Sequence, residues 1–516
     1  MDTIHLWDNS WHVSGLDDSR IEELRNRDTY HRTPRCLNYY GVRGIAKKEV
    51  KAKDLLAFSN TTIGELMEAE GCEVFVWPNS FNEGYDELKS QSIFQVTEKE
   101  GKTFVATGNV VGFIGKGDTH IRIHSRFASS EKDDYFLYYM LEKTISINQF
   151  NWDTSSSKDG PQVFDFLLFF FPKLLKEAMS QGLYKKYVYH EYNDANIRGV
   201  VDVNRHIRHN IPANGKIAYR TREFSYDNPV TQLIRHTIEF IRRKQFGKAV
   251  LHNDPDTEGC VQQIIQATPT FQPQQRQAVI NENLRPVAHP YYTKYAALQN
   301  LCLRILRYEK LSYGEKNTNK IHGILIDAAW LWEEYVAKVL AENGSGLKHY
   351  TQKNSPYHLF TKKDNSSFQK IIPDYLDDSY SKDVIVADAK YIPLLKDELT
   401  AAKAEPIYYK TIMYMYRFDA KKGFLFHPVS KKKDKETGEI VAISEEKIVE
   451  NDYTIEGRKD CHLYKVGLVV SDDFNKDSEN KNNNNNTNTW LSYRETMKNR
   501  EEYFVAELRK KSSYPL

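Results

Sequence analysis

One stretch constrains this chain more than any other: QKIIPDYLDDSYSKDVIVADAKYI, residues 369–392. Pro373-Asp374 follows Ile371-Ile372, and the β-branched run Val384-Ile385-Val386 leads into Asp388-Ala389-Lys390. Such a run reads as a buried strand. An acid and a lysine at its end are costly unless they are paired or bound to a metal. Two strands of a hairpin would bring Asp374 and Asp388 to one edge. Asp388 and Lys390 then share a strand face, because side chains alternate with period 2. Two carboxylates with open positions suit Mg2+, or Mn2+ in its place, since hard cations take carboxylate oxygens and water. A metal held there lowers the pKa of bound water, and Lys390 could orient that water or neutralise charge on a phosphate. The competing readings are a structural ion pair between Asp388 and Lys390 and a plain turn role for Asp374 after Pro373.

The bare pattern acid-x-Lys is cheap. It recurs at Glu49-Val50-Lys51, Glu100-Gly101-Lys102 and Glu445-Glu446-Lys447, none preceded by Pro-Asp and an apolar strand. A third acid is expected upstream. Residues 326–343 read as an amphipathic helix with Leu331, Trp332, Tyr335, Val336, Val339 and Leu340 inward. At about 100° per residue, Glu333 flanks that stripe and Glu334 points nearer to solvent. Glu333 is the candidate third carboxylate, with surface charge as the alternative. Residues 405–418 read as a further helix opened by Pro406, and 423–429 as another core strand. Helix, hairpin, strand, helix, strand is an α/β nuclease order.

The remainder organises around this third. A length of 516 residues suggests about three domains. Residues 1–155 read as β-rich; 156–319 as mostly helical; 320–470 as alternating helix and strand; and 471–516 as a low-complexity, Asn-rich linker with a terminal helix over 490–510. In the first part Ile121, Ile123 and Ser125 alternate with Arg122, His124 and Arg126, a pattern that predicts one exposed basic face. Gly112, Gly115 and Gly117 nearby fit a hairpin turn, since the phosphate-loop pattern G-x-x-x-x-G-K-[ST] is missing throughout. Nucleotide hydrolysis by this chain is therefore not expected.

In the middle part, Asp227, Asn228 and Pro229 signal a helix start. Residues 196–222 carry six basic side chains (Arg198, Arg205, Arg208, Lys216, Arg220, Arg222) against Asp202 alone. That imbalance, interleaved with His206, His209 and Tyr219, fits phosphate contact as well as it fits a solvated face. The whole chain has 72 basic and 70 acidic residues, which excludes a histone-like polycation but not a local basic groove. Five scattered cysteines without a C-x-x-C pair fit neither a disulfide framework nor a zinc site. The longest apolar run, 163–171, is too short for the roughly 20 residues of a membrane span and is expected to end at Pro172. With no secretory signal visible at the N-terminus, a cytoplasmic location is expected.

Taken in order, VGFIGKGDTHIRIHSRF, NIRGVVDVNRHIRHNIP, REFSYDNPVTQLIRHTI, WEEYV, PDY, DAKY and YYKTIMYMYRF resemble the McrC-type nuclease subunit of McrBC-type, LlaJI-like restriction systems, with a third domain similar to the PD-(D/E)xK superfamily. The likeness spans most of 30–470. It implies a multidomain α+β chain that ends in an α/β nuclease domain and cuts DNA with Mg2+. It implies catalytic roles for Asp374, Asp388 and Lys390, with Glu333 as the helix acid. Lys410 and Tyr414 fall on the helix after the catalytic lysine, where relatives contact DNA through a Gln and a Tyr; here Lys410 stands in for the Gln. The resemblance further implies an AAA+ GTPase partner of McrB type, contacted through the N-terminal domain. GTP is then bound by that partner, which also selects DNA, often by a modified base. A non-catalytic DNA-binding or assembly adaptor on a nuclease-like fold is the alternative.

Overall fold

The computed structural model of the chain describes residues 3–512 outside 15–32, 41–47, 50–54, 57, 60, 69–71, 79–89, 100, 117–118, 129–133, 146–164, 245–246, 253, 313–320, 352–353, 378–383, 393, 395–400, 434–439, 444–445 and 472–488. It is a mixed α/β chain in two compact units, one of residues 1–144, 151–161 and 317–516, the other of 145–150 and 162–316.

In the first unit a seven-stranded sheet runs Lys48–Glu49, Asn38–Tyr40, Thr3–Trp7, Thr119–His124, Val110–Lys116, Ile321–Asp327, Cys72–Trp77. Alternate residues of these strands (Ile4, Leu6, Ile121, Ile123, Ile114, Leu325, Val74, Val76) share one core. Ile321–Asp327 follows the sequence boundary at 319 yet completes the N-terminal sheet, antiparallel to Val110–Lys116 and parallel to Cys72–Trp77. Periodicity reports that a segment is a strand, not which strand it joins. Two glycines make the pairing close. A Cβ on Gly112, whose φ is +131°, would lie 2.1 Å from Ile324 O, and one on Gly323 would lie 2.4 Å from Phe113 O.

The expected basic face of Thr119–His124 is not exposed. The helix Tyr135–Ile145 follows, and Arg122 donates to Tyr138 Oη of that helix at 2.8 Å. His124 is buried against His5, with Nε2 2.8 Å from His5 Nδ1, and Arg126 is held by Asp8. Alternation is present, but both faces are covered. A four-stranded sheet, Thr33–Cys36, Ser10–Val13, Lys102–Thr107, Phe94–Lys99, meets it through Thr107, whose hydroxyl donates to Trp7 O at 2.6 Å.

A six-stranded sheet runs Lys348–His349, Tyr375–Asp377, Ile385–Ala389, Lys422–Val429, Arg458–Val469, Ile448–Ile455. Ile385–Ala389, Lys422–Val429 and Arg458–Val469 are mutually parallel neighbours, and their buried runs leave both faces to helices. The helix Ala328–Glu342 covers one face: its stripe Leu331, Trp332, Tyr335, Val336, Val339, Leu340 is buried as the spacing predicts, and Trp332 Nε1 donates to Phe426 O at 3.3 Å. Thr489–Ser512 joins it through Phe504, whose ring meets Phe426 at 5.2 Å. Ala401–Arg417 covers the other face, where Tyr414 and Met415 pack with Val386. The Asn-rich stretch itself lies outside the described residues.

The second unit contains the helices Asp165–Met179, Pro229–Arg242, Pro255–Ala267 and Tyr295–Ser312. Asn228 caps Pro229–Arg242 with a reciprocal Thr231 bond, as the sequence predicts. Pro172, which ends the apolar run, sits inside Asp165–Met179, at the loss of one backbone hydrogen bond. Among the described residues no helix is long and apolar enough to cross a membrane. This part is not purely helical: Lys186–Asp194, Ile217–Ser225 and Val200–Val201 form a three-stranded sheet, with the helix Val203–Asn210 between the last two in sequence.

Candidate active site

The register of Tyr375–Asp377 on Ile385–Ala389 sets Tyr375 opposite Ala387, and therefore Asp374 opposite Asp388 at the sheet end. Asp374 Oδ2 accepts the Ala389 N–H at 2.7 Å, which ties the two strand ends together. Val386 packs with Tyr414 and Met415, so Asp388, two residues on, points toward the same helix. There it meets two ammonium groups: Lys390 Nζ pairs with Oδ2, and Lys410 Nζ lies 3.5 Å from Oδ1. The hairpin expectation thus brings Asp374, Asp388 and Lys390 together, and Lys410 joins them.

The two carboxyls respond in opposite directions. Burial, then the Asp388 and Glu333 charges, push the Asp374 carboxyl well above the usual carboxylate range, and Lys390 and Lys410 only partly oppose this. Burial also works to raise Asp388, but Lys390 and Lys410 outweigh it and hold that carboxyl below its ordinary value. The negative charge therefore resides on Asp388, and Asp374 favours its proton. Lys410 is raised in turn, since the attraction of Asp388 and Asp374 exceeds the cost of burial.

Glu333 is near enough to act on Asp374 but is turned elsewhere. Its Oε1 lies 2.9 Å from His349 Nε2, and its main-chain carbonyl accepts Tyr375 Oη at 2.6 Å. His349 is raised by that bond and by the Glu333 charge, which together outweigh burial. Among the described residues no three His, Cys, Asp or Glu side chains stand ready to hold a metal ion. Tyr414, expected to contact DNA, is instead buried: its hydroxyl donates to Ile372 O at 2.8 Å, and its ring lies 5.5 Å from Lys410 Nζ. His349 carries no sequence signal of its own, since it lies in a two-residue strand.

The donor set still fits a hard divalent cation. Both Asp388 oxygens are buried without a hydrogen-bond donor in normal geometry, Asp374 lies opposite, and Glu333 is a third acid beside them.

The family model described as McrBC 5-methylcytosine restriction system component matches residues 105–428. The chain belongs to the McrBC family. That match reaches from the N-terminal sheet through Asp374, Asp388, Lys390 and Lys410 to the strand behind them. This McrBC-family chain is also similar, at 15% identity and a TM-score of 0.41, to a solved assembly of Thermococcus gammatolerans McrB AAA+ hexamers with bound McrC, covering 96% of this chain and 99% of that one. A second similar structure, the Thermococcus gammatolerans McrBC complex, has 14% identity and a TM-score of 0.27, covering 66% and 88%. No curated protein matches the chain.

The basic segment of the McrBC-family chain lies in the second unit, on the small sheet and its helix. Arg208, Lys216, Arg220 and Arg222 are exposed. Arg222 lies 4.3 Å from the Tyr187 ring centroid and Arg220 5.6 Å from that of Tyr189. Arg198 and Arg205 are already engaged, Arg198 with Asp194 at 3.6 Å and Arg205 with Glu191 at 3.2 Å. Those acids lie just outside the segment, so the six-to-one imbalance is smaller in space than in sequence.

Proposed function

We propose that the chain is the Mg2+-dependent DNA endonuclease subunit, of McrC type, of a restriction complex used in phage defence. The observation that carries this reading is the pairing of Asp374 and Asp388 at the end of a buried strand, faced by the ammonium groups of Lys390 and Lys410. Membership of a 5-methylcytosine restriction family supports it. So does the order helix, hairpin, strand, helix, strand, which we read as a PD-(D/E)xK domain over 320–470. The β-rich part over 1–155 would contact the partner, and the middle part over 156–319 would contact DNA.

Asp374 and Asp388 would hold the cation, with Glu333 recruited from His349. Mn2+ would serve in place of Mg2+. When bound, the ion supplies Lewis acidity and a lowered pKa for a water molecule. The chain's own groups do the rest. Lys390, set free from Asp388, is placed to orient the attacking water or to neutralise charge on the scissile phosphate. Lys410 adds a second positive charge facing the same carboxylate. The partner would be an AAA+ GTPase of McrB type, and GTP would be bound there. Methylated DNA is the natural substrate class, and a cytoplasmic location follows from acting with these partners.

The decisive experiment is cleavage of methylated and unmethylated plasmid by the chain with its McrB-type partner, with Mg2+ and with or without GTP. Lys390→Ala should lose cutting while still assembling; undiminished cutting by that variant would end the nuclease reading. One observation favours the adaptor alternative: Glu333 is committed to His349, and Asp388 to two lysines. Calorimetry that detects no Mg2+ or Mn2+ binding would support it.

A further inference from the structure

Tyr391 follows Lys390 directly and is enclosed by three consecutive residues from a distant strand end. Its hydroxyl shares a 3.0 Å hydrogen bond with Ser125 Oγ, 266 residues away. The Arg126 guanidinium lies 4.6 Å from its ring centroid, and Phe127 meets the ring edge-on at 5.5 Å. A buried phenol needs a polar partner and a buried guanidinium needs a carboxylate. Both needs are met here. Asp8, fully buried, accepts from Arg126 Nε at 3.0 Å and Nη2 at 2.6 Å, and also from the Arg126 main-chain N–H. Asn109 Oδ1 takes a further Arg126 bond at 2.5 Å.

The same Asn109 reaches the other side of the site. Its main-chain carbonyl accepts the Ala328 N–H at 2.9 Å, at the start of the helix that carries Glu333. Lys390 N–H meanwhile donates to Phe426 O at 2.8 Å. The main chain of Lys390 is thus fixed on one side by the six-stranded sheet and on the other, through Tyr391, by the Asp8–Arg126–Asn109 cluster. Plain core packing at position 391 would be served by a Phe or Leu. A hydroxyl, a stacked arginine and an arginine-bound aspartate add directional restraint that packing does not supply.

We propose that Ser125, Arg126, Asp8 and Asn109 form a clamp on Tyr391 that positions Lys390 for phosphodiester cleavage, so that the N-terminal sheet is part of the catalytic apparatus. This rests on the nuclease reading above. These are positioning residues: none of them touches the reacting atoms.

The test uses the full-length chain with its McrB-type partner, comparing wild type, Tyr391→Leu, Arg126→Ala and the conservative Arg126→Lys. In Tyr391→Leu and Arg126→Ala, single-turnover cleavage at saturating DNA and Mg2+ should fall by about tenfold to a hundredfold, the loss expected from a small misplacement of a catalytic group. DNA affinity, measured well below each variant's melting temperature, should stay at the wild-type value, and Arg126→Lys should recover most of the rate; Arg126→Ala is expected to melt earlier because Asp8 loses its partner. Hydrogen exchange is read in parallel. The segment 385–392 should exchange faster in the two disruptive variants, with 458–469 in the same sheet unchanged. Unchanged cleavage, or faster exchange across the whole sheet, would overturn the clamp. If wild type itself does not cut, the nuclease reading fails, and the local exchange difference alone decides whether the clamp holds Lys390.

Discussion

Glu333 Oε1 and His349 Nε2 lie 2.9 Å apart, so the helix acid whose charge acts on Asp374 already has a partner of its own. The helix Ala328–Glu342 carries the carboxylate, and the short strand Lys348–His349 supplies its hydrogen-bond partner. If Glu333 joins the cation only by leaving His349, its removal weakens metal binding rather than folding. Glu333→Gln should therefore raise the Mg2+ concentration for half-maximal cleavage by about tenfold or more. An unchanged Mg2+ titration would leave Glu333 as a partner of His349 alone.

His427 lies in Lys422–Val429 of the same sheet and is fully buried. Burial lowers its pKa to about 4. Between an unfolded value near 6.5 and that folded value, the unfolded chain binds a proton that the folded chain refuses. Stability should thus fall as pH drops through this window, by up to about 3 kcal/mol from this residue. In His427→Leu, urea unfolding at pH 7 and pH 5 should show a smaller difference than in wild type. His5 and His236, also lowered to about 4, would keep part of the dependence. Equal acid sensitivity in both proteins would remove His427 from the account.

Arg205→Ala with Arg208→Ala tests the basic segment. If both arginines contact phosphates, DNA affinity should weaken and the slope of log K against log salt should flatten by about two. Since Arg205 is already paired with Glu191, a loss of about one is the outcome if only the exposed Arg208 touches DNA. An unchanged slope would assign the segment to solvation or to a protein partner.

Gly112→Ala should destabilise the first unit by about 2–4 kcal/mol in urea unfolding, because the added methyl meets the Ile324 carbonyl and the backbone has positive φ. A variant as stable as wild type would mean that the two strands can separate without cost.

Much of the candidate site was legible in sequence because its signals are local. Asp374, Asp388 and Lys390 lie within one hairpin, and the buried stripe from Leu331 to Leu340 follows helical spacing within one helix. What escaped depends on long-range partners. Alternation over 121–126 is present, yet it does not say that Asp8, His5 and Tyr138 cover the basic side chains. Lys410 was legible as a helix residue but not as the second cation on Asp388, which requires knowing how the helix sits on the strand. The sheet of the second unit was hidden because Tyr187 and Tyr189 face outward, so its strands lack the apolar-inward alternation that marks a buried sheet.

The strand Ile321–Asp327 lies between Val110–Lys116 and Cys72–Trp77, and it is the strand against which Cys72–Trp77 pairs in that sheet. About 200 residues separate it from Lys116 in the chain. At a synthesis rate of about 5–20 residues per second, the ribosome leaves that gap unfilled for roughly 10–40 seconds. Through that interval Val110–Lys116 and Cys72–Trp77 each lack the neighbour that Ile321–Asp327 supplies to both in the completed sheet. The second unit, by contrast, is fully translated before the missing strand emerges, so the segment inserted in the middle of the chain is free to mature ahead of the sheet whose strands precede and follow it in sequence.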